Sequence, residues 1–135
     1  MTKILIDDVD GRTAADVMHP TLTATAADAT VADLQAYFAV SSSRRLAVLV
    51  DDERYLGSIA SDELAETEAD PAGAARELVH REPVVSPDTA AATARDLALA
   101  SPARRVPVVD ETGRLVGVVA IDKHLAGFCG TETAI

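Results

Sequence analysis

Cysteine is almost absent from this 135-residue chain: Cys129 stands alone, so no intrachain disulfide forms and a four-thiolate zinc site is excluded. Long apolar runs are missing too. The stretch Ile4-Leu5-Ile6 is too short for a signal peptide, and nothing approaches the length needed to span a bilayer. Glycine and proline are sparse, at 7 and 6 residues, beside a composition 48% hydrophobic and 25% charged, which is that of a folded chain rather than a disordered one. Positive charge is scarce: 12 Lys and Arg face 22 Asp and Glu, for a net charge of −10. Such a field repels a phosphate backbone and argues against a polybasic membrane tether, so neither a nucleic-acid nor a membrane partner is expected. The expectation is a soluble cytoplasmic protein of one domain, or two merged half-domains, burying roughly two-thirds of its unfolded surface without a staple. The many alanines, and ten arginines against two lysines, read as a compositional habit.

Catalytic constellations are missing as well. His19, His80 and His124 are scattered, with no partner at metal-ligand spacing. The run Asp7-Asp8-Val9-Asp10-Gly11 fails as a calcium loop, because placing Gly11 at the turn puts Ile6 first and Val17 at the closing acid. Gly57-Ser58 lacks the second glycine of a nucleophile elbow, and no Gly-rich loop cradles phosphate. Cys129 has no His or basic cluster near it in sequence to activate it. Nothing assembles a nucleophile, a base and an orienting group, so the chain is not expected to be an enzyme.

What the chain does contain is itself, twice. Shifted by 60 residues, Ala14 to Asp62 align without a gap on Ala74 to Asp122. Asp28/Asp88, Ser41/Ser101, Arg44/Arg104, Arg45/Arg105, Val48/Val108, Arg54/Arg114, Gly57/Gly117 and Asp62/Asp122 are among the identical pairs. Alanine pairs mean little in an Ala-rich chain, but an Arg-Arg pair, a glycine and an Asp at one offset are hard to obtain by chance.

Each copy predicts the same elements. A short helix from Thr13 to Met18 stops near Pro20, and Leu22 to Thr25 reads as a short strand. Thr30-Val-Ala-Asp33 has the capping-box layout and starts a helix to about Val40, with Val31, Leu34, Tyr37 and Phe38 on one face. Arg45 to Val50 and Tyr55 to Ala60 are strands around the polar turn Asp51 to Arg54, and Ser61 is placed to cap a closing helix to Glu66. In the second copy Asp70-Pro71 opens a helix and Val84-Val85 a strand. Pro87-Asp88-Thr89 precedes a helix to Ala100, Val106 to Val109 and Leu115 to Val119 form a hairpin, and a last helix covers Asp122 to Phe128.

A three-stranded unit with two helices is marginal alone, so the two copies are expected to bury their apolar faces against each other. The predicted organisation is a lead-in over 1–12, a first repeat over 13–66, a linker over 67–72, a second repeat over 73–128 and a tail over 129–135. The fold class is α/β, two β-α-β-β-α repeats packed around a pseudo-two-fold axis as one globular module.

The run Arg104-Arg-Val-Pro-Val-Val-Asp-Glu-Thr-Gly-Arg-Leu-Val-Gly-Val-Val119 closely resembles the hairpin of cystathionine-β-synthase-type (CBS) domains, and Arg44 to Ile59 carries a weaker version. Ala15-Asp-Val-Met-His-Pro20 resembles the family's opening helix, and Asp28-Ala-Thr-Val31 the start of its long helix. The resemblance implies a tandem CBS pair (Bateman module), a regulatory sensor that holds an adenosine-containing ligand in a cleft between repeats and often pairs again as a homodimer. With nothing substantial attached, any output is expected to pass through a partner protein. The implied ligands are AMP, ADP, ATP or S-adenosylmethionine, with no metal and no catalytic residue. The alternative is a ligand-free dimerisation or protein-interaction module with degenerate nucleotide sites.

The family pattern continues three residues past the hairpin glycine with Thr or Ser, and six past it with an Asp whose carboxylate accepts two ribose hydroxyls. Here Ala60 and Ala120 stand at the hydroxyl positions, and Glu63 and Lys123 at the acid positions; Asp62 and Asp122 lie one residue early. Glu63 remains a candidate sugar contact, while Lys123 accepts no hydrogen bond and suits a phosphate instead. The plain alternative leaves both as solvated residues in the first turn of a helix. Arg45 and Arg105 are candidate phosphate contacts, since only one arginine of each pair can face a given side of a strand. Alternatively the four arginines cap strand ends and pair with Asp51, Asp52, Asp110 and Glu111. By family analogy Ala47-Val48 and Pro107-Val108 line an apolar slot for a base, with backbone near Thr23, Thr25, Val84 and Val85 reading its edge; packed core explains the same residues.

Overall fold

Thr30 starts the first long helix as its sequence requires. Its hydroxyl accepts from Asp33 N at 3.2 Å, and the Asp33 carboxylate accepts from Thr30 N at 2.9 Å, a complete capping box with Asp at the third position. The structure, a computed structural model, describes residues 4–19, 24–42, 44–122 and 124–129. Its elements run α1 (Ala14–Val17), β1 (Thr25–Ala26), α2 (Val31–Ala39), β2 (Leu46–Asp51), β3 (Arg54–Ala60), α3 (Ser61–Glu66), a 3-10 turn (Ala75–Glu77), α4 (Ala91–Ala100), β4 (Arg105–Val109) and β5 (Leu115–Ala120). No helix among the described residues is long and apolar enough to cross a membrane.

The chain divides into two compact units, one of Thr23–Glu82 and one of Met1–Leu22 with Pro83–Ile135. In the first, β1 pairs parallel to β2 and β2 antiparallel to β3, in the order β1-β2-β3. The hairpin closes through Asp52 and Glu53, both with positive φ, the handedness that matches strand twist in a tight turn. Val31 and Leu34 of α2, Ala47 and Leu49 of β2, Ile59 of β3 and Leu64 of α3 form its core.

In the second unit β4 and β5 form the matching hairpin, and Val85 makes a single parallel bridge to Val108. Its core joins Val17, Ala94, Ala98, Val106, Val119, Ile121 and Phe128. At the turn, the Asp110 carboxylate accepts from Thr112 Oγ1 and from Thr112 N and Arg114 N, which holds its pKa below the usual carboxylate value.

The units cut the chain elsewhere than the repeats do, because each linking segment docks on the other repeat's long helix. Ala14 N donates to Thr89 O (2.7 Å) and Ala91 N to Arg12 O (3.0 Å), tying α1 to the start of α4. The counterparts are Ala75 N to Ala29 O (3.0 Å) and Val31 N to Gly73 O (2.9 Å), tying the 3-10 turn to the start of α2. Each hairpin edge then receives the following residues: Ser58 bridges His80, and Val118 bridges His19. The hairpins match at an offset of 60 residues, whereas His19 matches His80 at 61, so the ungapped register slips by one in the linking segments.

Four sequence expectations need correction. The segment opened by Asp70-Pro71 is a turn followed by three residues of 3-10 helix rather than a helix. Val84-Val85 is one bridge at Val85 rather than a strand. Ser61 is the first helical residue of α3, with Ala60 at the cap position. Asp122 to Phe128 is not a helix. Ile121 bridges Phe128, and the Asp122 carboxylate captures His124 N (3.1 Å) and Ala126 N (3.0 Å). An Asp that hydrogen-bonds the backbone just after it competes with helix formation, and Leu125 with φ 56 and the following Gly127 complete the turn. The lead-in occupies this place, with Ile6 N donating to Ala126 O (3.0 Å) and Phe128 N to Ile4 O (2.9 Å).

Candidate functional site

In the first unit the β2–β3 register decides which candidate residues meet. Leu46 pairs with Ala60, and Arg45 O accepts from Ser61 N at 3.0 Å, so Arg45, Ala60 and the first turn of α3 share one end of the hairpin. Glu63 stands in that turn. Its Oε1 accepts from Ala60 N at 3.2 Å, satisfying one of the N–H groups a helix start leaves unpaired, and its Oε2 lies 3.2 Å from His80 Nε2. Arg45 is half-buried, and its guanidinium makes no hydrogen bond or ion pair with the described residues. Thr25 is half-buried and pairs with Leu49, further along β2. Ala47, Val48 and Ala60 are buried. Thr23 lies outside the described residues.

In the second unit Arg105 pairs with Ala120 at the matching end of β4–β5, and its guanidinium donates to Ala103 O at 2.8 Å. Val85, Pro107, Val108 and Ala120 are buried, and Val84 is half-buried. Past Ala120 the chain enters the Asp122 turn rather than a helix. Lys123, the counterpart of Glu63 in sequence, lies outside the described residues; a lysine offers no acceptor for the N–H that Glu63 takes in α3. The helix-borne arrangement of the first unit is thus not repeated.

The paired arginines divide their work. Arg44 donates to Tyr37 O (3.3 Å) in the last turn of α2 and lies over the Tyr37 ring, 4.5 Å from its centroid. Arg104, at φ 57, donates to Leu99 O in the last turn of α4. A guanidinium at the carbonyl end of a helix satisfies orphan acceptors and complements the helix dipole. These two side chains therefore turn to backbone carbonyls, not to the carboxylates of Asp51, Asp52, Asp110 or Glu111. Of the paired arginines in the first unit, that leaves Arg45 available to an anion.

Linear spacing concealed His80, which sits 17 positions from Glu63 yet touches its carboxylate. The segment around it is held firmly. Ser58 N donates to His80 O (2.8 Å) and His80 N to Ser58 O (2.9 Å). The fully buried Tyr55 places its hydroxyl 3.3 Å from Ser58 Oγ and 3.2 Å from Arg81 O, while Arg81 donates back to Tyr55 O at 3.1 Å. Burial pushes the Tyr55 phenol above its ordinary pKa, against the opposing pull of the Ser58 hydrogen bond and the Arg81 charge. The one sequence signal for His80 is its correspondence with His19 once the linking segments are slipped by one residue. Among the described residues no group of three or more His, Cys, Asp or Glu is placed to hold a metal ion.

The CBS domain family model matches residues 75–122. No curated protein matches the chain. Among solved structures the chain is similar to CBSX2, a CBS-pair protein from Arabidopsis thaliana, at 23% identity and TM-score 0.69 over 82% of this chain and 89% of that one. CBSX2 has also been solved in complex with AMP, matching at 24% identity and TM-score 0.67 over 82% and 90%. The cytosolic domain of the Mg2+ channel MgtE in complex with ATP matches at 25% identity and TM-score 0.68, over 89% of this chain and 50% of that one. The CBS-pair domain of a Mg2+ transporter from Shewanella oneidensis matches at 22% identity and TM-score 0.66, over 86% and 69%. The CBS domain model thus matches the heart of the second half, its twin in the first half is built on the same plan, and the chain has the fold of a tandem CBS pair.

Proposed function

We propose that this CBS pair is a non-catalytic sensor that binds an adenine nucleotide through its first half, pairs as a homodimer and passes its state to a partner protein. The observation that carries the reading is half-buried Arg45, beside the first turn of α3, whose guanidinium has no partner among the described residues. A guanidinium fork binds phosphate in bidentate fashion. The AMP complex of CBSX2 and the ATP complex of the MgtE domain support adenine nucleotides as the ligand class. The second half is the poorer candidate: Arg105 is spent on Ala103 O and no helix follows Ala120.

The test is a thermal-shift series with AMP, ADP, ATP and S-adenosylmethionine, repeated on Arg45→Ala and Arg105→Ala. A ligand of the native state raises the melting temperature by mass action. The expected result is a shift with at least one nucleotide, abolished in Arg45→Ala and retained in Arg105→Ala. No shift with any compound at millimolar concentration would refute nucleotide sensing.

One observation favours a second reading, a ligand-free interaction module. Both oxygens of Glu63 already have partners in Ala60 N and His80, so a ribose must compete for the carboxylate. Binding that strengthens in His80→Ala marks that competition; absence of binding in both proteins leaves the interaction module as the function.

A further inference from the structure

The Glu63 carboxylate meets an ionisable partner brought in from a distant segment. Its Oε2 lies 3.2 Å from His80 Nε2, and the Glu63 and His80 side chains keep 40% and 61% of their surface in solvent, so a ligand can reach both. The imidazole is held in place from behind. His80 is bonded through its backbone in both directions to Ser58 on β3, and the next residue, Arg81, donates to Tyr55 O. Glu63 is fixed from the other side, with Oε1 on Ala60 N at the start of α3. The second copy keeps the histidine as His19 but has Lys123 in place of Glu63, and a lysine accepts no hydrogen bond. Duplication thus left the histidine in both halves and a carboxylate for it in the first.

We infer, resting on the nucleotide reading above, that His80 is a positioning residue of that site and that its proton decides whether Glu63 reads the ribose. A carboxylate accepts two neighbouring hydroxyls side by side. Glu63 stands in the turn of α3 that begins beside Arg45, so a nucleotide with its phosphate on Arg45 presents its sugar to this turn. Neutral imidazole offers Oε2 one ordinary hydrogen bond, which a ribose hydroxyl can replace. Protonated imidazole makes that bond charge-assisted, roughly twice as strong. The charged and titratable groups on the elements that meet His80 are Glu63 and Asp62 on α3, Tyr55 on β3, Arg45 on β2, and Arg81 and Glu82 in its own segment. Among these and His80 itself, the imidazole is the type of group that changes charge between about pH 5 and 8. The sign follows. As pH falls, His80 gains its proton and holds the carboxylate, and the site loses its preference for ribose over 2′-deoxyribose. The guanidinium of Arg45 keeps its hold on the phosphate throughout. An exposed ion pair of this kind changes an equilibrium by up to about five-fold.

The test measures dissociation constants by titration calorimetry for ATP against 2′-deoxy-ATP and AMP against 2′-deoxy-AMP, from about pH 5.5 to about pH 8.5. The ratio of deoxy to ribo constants cancels the ionisation of the phosphates, which the two nucleotides of a pair share. The set is wild type, His80→Gln, which keeps a neutral donor and gains no proton, His80→Ala, which frees Oε2, and Glu63→Gln. The expected wild-type ratio falls about three- to five-fold from the alkaline to the acid end. It stays level with pH in all three variants, high in His80→Ala and near unity in Glu63→Gln. Urea midpoints are recorded for each protein, and should Glu63→Gln loosen α3, the two His80 variants decide the outcome. A ratio that is level in wild type, falls as steeply in His80→Gln, or stays near unity in His80→Ala overturns the role of His80 and leaves the nucleotide site standing. Absence of binding by every nucleotide at every pH overturns the nucleotide reading, and the role of His80 with it.

Discussion

Replacing Gly57 by Ala should destabilise the protein by forcing the linking segment off the edge of β3. An added Cβ would lie 2.7 Å from Val79 Cγ2 and 3.0 Å from both Val79 Cβ and His80 O. Val79 is β-branched and stiff at χ1, and His80 O is engaged by Ser58 N, so neither neighbour yields cheaply. Overpacking of this kind costs about 1–3 kcal/mol. Strain that parts the Ser58–His80 bridge adds about 1 kcal/mol for each hydrogen bond lost. Reduced freedom of the unfolded chain returns about 0.4–1 kcal/mol. The net expectation is a loss of about 2 kcal/mol, which at about 1–3 kcal/mol per M lowers a urea midpoint by about 1 M. Gly117→Ala is the internal control. Its Cβ meets Met18 Sδ and Cγ, a flexible side chain that can swing aside, with His19 O at 3.1 Å, so the cost should be about half as large. In a Val79→Ala background, Gly57→Ala should cost clearly less than in wild type, because the closest clash is gone. A wild-type midpoint for Gly57→Ala, or a larger loss for Gly117→Ala, would refute the reasoning.

Thr30→Ala removes the capping hydroxyl of α2 and should cost about 1 kcal/mol in urea unfolding, with little change if Ser replaces it instead. Tyr55→Phe leaves Ser58 Oγ and Arg81 O without the phenol and should cost about 1–2 kcal/mol. Because burial raises the Tyr55 pKa, the folded state holds the phenolic proton more tightly than the unfolded chain. That stability is complete below the ordinary value of 10.0 and falls as pH rises through the folded value, a slope that urea midpoints on the alkaline side should show in wild type and not in Tyr55→Phe. Arg44→Ala should lower stability by loosening the end of α2, whereas Arg45→Ala should stay within about 0.5 kcal/mol of wild type while losing any nucleotide-induced shift.

Where the signal was local, the chain was legible. The Thr30–Asp33 box starts α2 where the residues place it, and both hairpins fall where nearly continuous apolar runs flank a polar turn. Local reasoning failed after Ala120. Asp122 and Asp62 occupy equivalent positions, yet Glu63 holds Ala60 N and supports a helix, while the Asp122 carboxylate captures two N–H groups ahead of it and turns the chain back. The candidate site was legible only as residue types: Arg45 and Glu63 were named, but nothing in their spacing revealed that His80 would close on the Glu63 carboxylate.

By itself the sequence determined that this protein is a duplication and which segments become hairpins and long helices. Those conclusions follow from periodicity, capping and side-chain chemistry, which act over a few residues. Only the tertiary structure decided that each linking segment docks on the other repeat's helix, and that Arg44 and Arg104 are consumed by helix ends while the Arg45 guanidinium has no partner among the described residues. These depend on which backbone donors and acceptors find each other across tens of residues, and a pattern read along the chain carries no record of that pairing.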